Sequence, residues 1–198
     1  MNCNTLRQVR QELYASFERR SDVLFDLTDA LLCESQARSL AELSLSPQFR
    51  RTWTSVYKAL QDGKIQIEKI RAILVEALLA GKPENEPVWM AVDGSNFPRP
   101  DARTSEDRTI IHLSNLPLVK TPIGVGWTFS SVVLIPDQTS SWTPIRDHQR
   151  ITSKQTAIGV AIEQLKALKP LFGTRRLILL ADRWYATPEF LRACHDLG

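Results

Sequence analysis

LLADRWYATPEF, Leu179 to Phe190, decides how this chain is read. With Leu177 and Ile178 before it, the stretch begins as the continuous apolar run of a strand buried on both faces. It then passes into Asp182, Arg183 and two aromatics, and on to Thr187-Pro188-Glu189. Those three residues carry helix-start chemistry: a capping hydroxyl, a proline in the first turn, and an acid near the positive end of the helix dipole. A strand that ends in a carboxylate and leads into a helix is the grammar of an α/β layer.

A second stretch repeats the arrangement. VWMAVD, Val88 to Asp93, is short, apolar and ends at an acid. Residues 94–108 are polar and proline-bearing, which predicts a mobile loop. Its Arg99, Arg103 and Arg108 are nearly cancelled by Asp101, Glu106 and Asp107, so DNA contact is a secondary role for it. Gly124 to Pro136 reads as a long strand, Asp137 to Ser140 as a turn, and Ser141 to Ile151 as a returning strand. Pro144 marks that last strand as an edge or a bulge. SKQTAIGVAIEQLKAL has Ala157, Val160, Ala161, Gln164, Leu165 and Leu168 on one side. That spacing predicts a helix capped by Thr152 or Ser153 and ended by Lys169-Pro170. The order strand, strand, strand, helix, strand, helix predicts a mixed sheet with helices packed on it.

Residues 1–82 read differently, as helices only. Ser21 opens SDVLFDLTDALLC, Ser46-Pro47 opens a helix to about Gln61, and residues 64–79 form another with Gly81 beyond its end. The last two are candidates for a helix-turn-helix. Lys82 to Pro87, KPENEP, is the predicted boundary, dividing the chain into 1–82 and 83–198. Arg50 and Arg51, with Trp53 and Lys58 near them, are candidate contacts to DNA phosphates, although this half is almost neutral.

The totals bound the rest. The chain has 198 residues, 43% hydrophobic and 24% charged, with a formal net charge of +3. That is an ordinary, mildly basic globular composition. Three scattered cysteines suggest neither a disulfide framework nor a zinc knuckle. The polar N-terminus and the lack of a long apolar run predict a cytoplasmic protein. The three histidines have no metal-ligand spacing.

Asp93 and Asp182 therefore stand out as two acids at two strand ends. If the strands are neighbours, both carboxylates face one crevice, and close carboxylates favour a cation between them. Mg²⁺ or Mn²⁺ suits such hard oxygen ligands, and such ions activate water and stabilise leaving oxygens in phosphodiester chemistry. The alternative is structural, since an aspartate at a strand end is often a turn former or a helix cap.

The runs AVDGSNFPRP, SSWTPIRDHQRITSKQTAIGVAIEQLKAL and LILLADRWYATPEF resemble the DDE transposases of bacterial insertion sequences. The similarity covers most of residues 30–198 and is most specific in ADRWYATPEF. It implies an α/β fold: an N-terminal helical region followed by an incomplete ribonuclease-H-like mixed sheet. It also implies that Asp93 and Asp182 are catalytic Mg²⁺ ligands for hydrolysis and strand transfer at transposon DNA ends. The family's third carboxylate, a glutamate on a later helix, has no match here. Glu189 fits a first-turn position and Glu163 a solvent face.

The chain is thus expected to be the N-terminal part of a transposase, inactive alone. The alternative is a catalytically inactive DNA-binding or dimerising fragment. A sheet cut after its fourth strand leaves an edge uncovered, which a homodimer would relieve. Arg183 is a candidate phosphate contact or an ion-pair partner. Trp184 and Tyr185 are candidates for stacking on a base or for packing under the helix.

Overall fold

The computed structural model describes residues 3–113, 123–136 and 143–198. Two compact units divide the chain, Met1–Ala80 and Gly81–Gly198. The predicted turn at 137–140 lies outside the described residues.

The first unit holds α1 (Cys3–Tyr14), α2 (Ser21–Cys33), α3 (Leu40–Leu43), α4 (Trp53–Asp62) and α5 (Ile67–Leu79). α4 packs on α2 and α3, and α5 packs on α1. Leu27, Ala30, Leu43, Phe49 and Val56 form the core. The reading of this region as helices only needs correction. β1 (Phe17–Arg19) pairs antiparallel with β2 (Lys64–Ile65). The Lys64–Glu18 ion pair and the 2.6 Å bond from Gln66 to Glu18 tie the two connectors together.

Ser46-Pro47 does not open a helix either; α4 starts behind Thr52. Burial of Phe49 holds the intervening segment in turns, and Arg50 and Arg51 are drawn to the carboxylate of Asp26.

Arg10 donates two hydrogen bonds to Asp29, at 2.6 and 2.9 Å, and they hold the Asp29 carboxyl below its usual range. A depressed carboxylate stabilises the fold above its unfolded pKa, about 3.9. That contribution is lost as pH falls through the lowered value. Asp29→Asn should therefore destabilise the protein at neutral pH and flatten the fall in melting temperature below about pH 4. Thermal melts across that range measure it.

The second unit holds β3 (Val88–Pro98), β4 (Thr109–His112), β5 (Ile123–Leu134), β6 (Ile145–Ile151), α6 (Ala157–Leu168), β7 (Leu177–Ala181) and α7 (Pro188–Leu197). It is a mixed α/β layer, as the sequence predicts. β3 pairs antiparallel with β5 and parallel with β7. The other edge of β5 carries β4 and then β6. Alternation divides the sheet into two faces. Val88, Met90 and Val92 are buried on the inner face, with Val132 and Leu134 of β5 and with α6 above them. Trp89 and Leu180, on the outer face, are 42% and 46% exposed.

Four expectations change. β3 does not end at Asp93 but continues to Pro98, because β5 extends far enough to pair with it through Gly126. β4 lies between the polar segment and β5, where the sequence reading places no strand. The cap of α6 is Thr156, whose hydroxyl accepts from the Gly159 N–H, rather than Thr152 or Ser153. β7 is not buried on both faces: it is the end strand of the described sheet, intermediate to exposed along its length.

Candidate active site

The ladder between β3 and β7 runs from Val88–Leu177 to Val92–Ala181. The next residues on the two strands are Asp93 and Asp182. Both therefore leave the parallel ladder side by side, at the spacing of paired strands, about 4.8 Å. Asp182 keeps extended backbone angles, φ −73° and ψ 172°, so it continues the strand before the chain turns. Alternation puts both acids on the outer face. Both residues are exposed.

Each carboxylate is oriented by its own backbone. The Gly94 N–H donates to Asp93 Oδ1 at 2.7 Å. The Trp184 N–H donates to Asp182 Oδ1 at 2.9 Å, which caps the short 3₁₀ turn Arg183–Tyr185. The capping role and the ligand role are therefore compatible, because one oxygen of each exposed acid serves the backbone and leaves the second for a ligand. Among the described residues no third His, Cys, Asp or Glu completes a metal-sized cluster with them. Two hard oxygen ligands fit an ion such as Mg²⁺, which keeps much of its water shell.

Beneath the pair lies Tyr185, only 3% exposed. Burial pushes its phenol pKa up, and the negative charges of Asp93 and Asp182 push it further. The phenol is hydrogen-bonded to Ser130. The Ser130 hydroxyl donates to Gln164 Oε1 at 2.6 Å, and Gln164 Nε2 donates to the Ser130 carbonyl at 3.1 Å. Ser130 and Gln164 are both fully buried. A polar chain from α6 through β5 thus supports the turn that carries Asp182. The signal for it was present in the sequence: Gln164 is a polar residue on the apolar stripe of α6.

Trp184 and Tyr185 part ways. Tyr185 packs against Phe190 of α7, and Trp184 is 73% exposed. Arg183 is exposed beside Asp182. Glu189 lies in the first turn of α7, along a groove with Lys166 and Arg192. Glu163 is exposed on α6. Arg50 and Arg51 belong to the first unit, where they pair with Asp26 at 2.8 and 3.5 Å, and Arg51 also reaches Asp22 at 3.4 Å. A cavity of about 390 Å³ opens on the inner side of β7, lined by Met90, Leu179, Tyr185, Phe190 and Leu191 with Asp182. Its mostly apolar lining suits packing rather than phosphate chemistry.

A family model described as DDE superfamily endonuclease matches residues 12–198. The chain belongs to this family. The match spans both aspartates and both units, and it agrees with the resemblance that ADRWYATPEF carries. Nucleic-acid cleavage of the transposition type is the activity that the family name implies, with DNA as substrate. No match is found among curated proteins. No helix of the described residues in this DDE endonuclease is long and apolar enough to cross a membrane.

Proposed function

We propose that this chain carries the two-aspartate part of a metal-dependent site for cutting and joining DNA at the ends of an insertion sequence. The observation behind this reading is the register that brings Asp93 and Asp182 together on an open face. Asp93 and Asp182 would hold Mg²⁺ or Mn²⁺, which when bound would activate the attacking oxygen and stabilise the leaving one. The chain's own residues fix the geometry. The backbone N–H groups of Gly94 and Trp184 orient the carboxylates, and Tyr185 supports the turn between Asp182 and α7. Arg183, exposed next to Asp182, would meet a phosphate there. A DNA role for Arg50 and Arg51 would have phosphate compete with Asp22 and Asp26 for the same guanidiniums.

Calorimetric Mn²⁺ titration tests the reading. Weak binding is expected, since two carboxylates fill part of an octahedral shell. Asp93→Asn and Asp182→Asn should each weaken it by about tenfold or more, about 1.4 kcal/mol per factor of ten. Unchanged affinity in both variants would overturn the assignment. The lack of a third acid among the described residues favours a second reading, a DNA-binding or dimerising role without catalysis by this chain. A plasmid-nicking assay in Mn²⁺ separates them. Nicking abolished by Asp93→Asn supports catalysis, and DNA binding without nicking supports the second reading.

A further inference from the structure

The outer face carries more than the two acids. Asp93 is opposite Ser131 on β5, and Ser131 is opposite His148 on β6. Asp93, Ser131 and His148 therefore form one row across three strands, and Asp182 follows the end of β7 beside Asp93. Ser131 Oγ and His148 Nδ1 are 2.8 Å apart. The next row is Ser95, Phe129 and Arg150, and beyond it Phe97 faces Trp127.

The aromatic members touch. The rings of Phe129 and His148 are stacked, with centroids 4.8 Å apart at 4°, and Phe97 meets Phe129 edge-on at 5.3 Å. Arg99 and Arg150 lie over the Trp127 ring at 5.9 and 5.2 Å. This face is built to last. Arg150 pairs with Asp107 at 2.9 Å, the Ser153 N–H donates to Asp107 as well, and Trp127 donates to the Glu106 carbonyl. The segment expected to be a mobile loop is thus pinned against β5 and β6. Arg108 donates to the carbonyls of Arg99 and Pro100. Yet Phe97 is 44% exposed and His148 is exposed, so the rings are open to a partner.

We infer that this face is a binding track for an unpaired DNA strand leading to the Asp93–Asp182 pair. Bases stack on the exposed rings of Phe97 and His148, which Phe129 backs, and phosphates meet Arg99. The inference rests on the proposed DNA-cleaving role, and it names the form of the substrate. Two features select this occupant. Flat rings stack with any base, whereas paired bases inside a duplex offer no free π-face. A guanidinium at the border of the rings suits a backbone that runs alongside stacked bases. The face is also continuous with the carboxylates, so a strand lying on it reaches them without crossing the sheet edge.

The test is fluorescence anisotropy with a labelled 15-nucleotide single strand and the duplex of the same sequence, in EDTA. The single strand should bind about tenfold more tightly than the duplex. Phe97→Ala and His148→Ala should each weaken single-strand binding by about tenfold, the scale of one lost base stack, and change duplex binding by less than about twofold. Phe97→Trp should restore it. Arg99→Gln should reduce the salt dependence by about one phosphate contact. Thermal melts establish that each variant is folded. Equal affinity for single strand and duplex overturns the inference, as does single-strand binding that Phe97→Ala and His148→Ala leave intact. Self-association abolished by Phe97→Asp, with no single-strand preference, also overturns it and assigns the face to a second copy. Because EDTA removes divalent ions, failure of the metal titration and failure of this test are separate results.

Discussion

Gly126→Ala is expected to destabilise the second unit by about 3 kcal/mol, toward the upper end of overpacking costs. Gly126 lies where β5 is paired on both edges, with Pro98 of β3 and Thr109 of β4. A Cβ there would be driven into the carbonyl oxygen of Phe97 and would come within 2.8 Å of Ile111 Cδ1. The first obstacle is backbone, and no rotamer change moves it. Relief requires the β3–β5 ladder to open at its outer end, which would displace Phe97 and Trp127 together. Gly94 provides the contrast. A Cβ at that position meets only the Phe129 carbonyl oxygen and the Tyr185 hydroxyl, each at 4.0 Å, an ordinary contact. Gly94→Ala should stay within about 0.5 kcal/mol of the parent protein. Urea melts of the two variants decide the matter. Equal, small losses would show that the outer ladder yields easily and that its register is not a constraint on the site.

The strand-then-acid pattern at Val88–Asp93 and Leu177–Asp182 was legible because apolar runs and helix-start residues are local signals. The shared crevice depends on the two strands being neighbours, a condition the sequence leaves open and the β3–β7 register meets. What the sequence hid was set by partners distant in the chain. Ser95, Asn96 and Phe97 look like loop because a polar run has no apolar period. They are strand because β5, thirty residues later, supplies their hydrogen bonds. β7 looks central because Leu177 to Ala181 is apolar throughout. Its inner side does face the core and the cavity beneath α7, while Leu180 on the outer side stays half-exposed. Asp107 and Arg150 are an ion pair that charge counting within residues 94–108 could not find, since it joins that segment to β6. In the same way Arg50 and Arg51 read as a free basic pair until α2 brings Asp22 and Asp26 to them.

Ser130→Ala and Gln164→Leu should each destabilise the protein by about 1–3 kcal/mol, and the double variant should cost far less than their sum. Both side chains are fully buried, and each satisfies the other: the hydroxyl donates to Gln164 Oε1, and the amide donates back to the Ser130 carbonyl. Removing one partner leaves a desolvated polar atom on the other, and that penalty is what a single substitution measures. Ser130→Ala has a second effect, because the Tyr185 phenol loses the Ser130 hydroxyl to which it is bonded. On ionisation that hydroxyl would turn from Gln164 to donate to the phenolate, so without it Tyr185 has burial and two nearby negative charges with less to offset them. Its pKa, already raised, should rise further, so its ionised form should appear at still higher pH in an ultraviolet titration. Asp93→Asn should act in the opposite direction by removing one of those charges. Stability of the parent should hold below the ordinary tyrosine pKa of about 10 and fall as pH rises from there toward the raised folded value. A Tyr185 titration that neither Ser130→Ala nor Asp93→Asn shifts would show that the buried chain and the carboxylate pair are not coupled. The support argued for the site would then rest on the backbone donors of Gly94 and Trp184 alone.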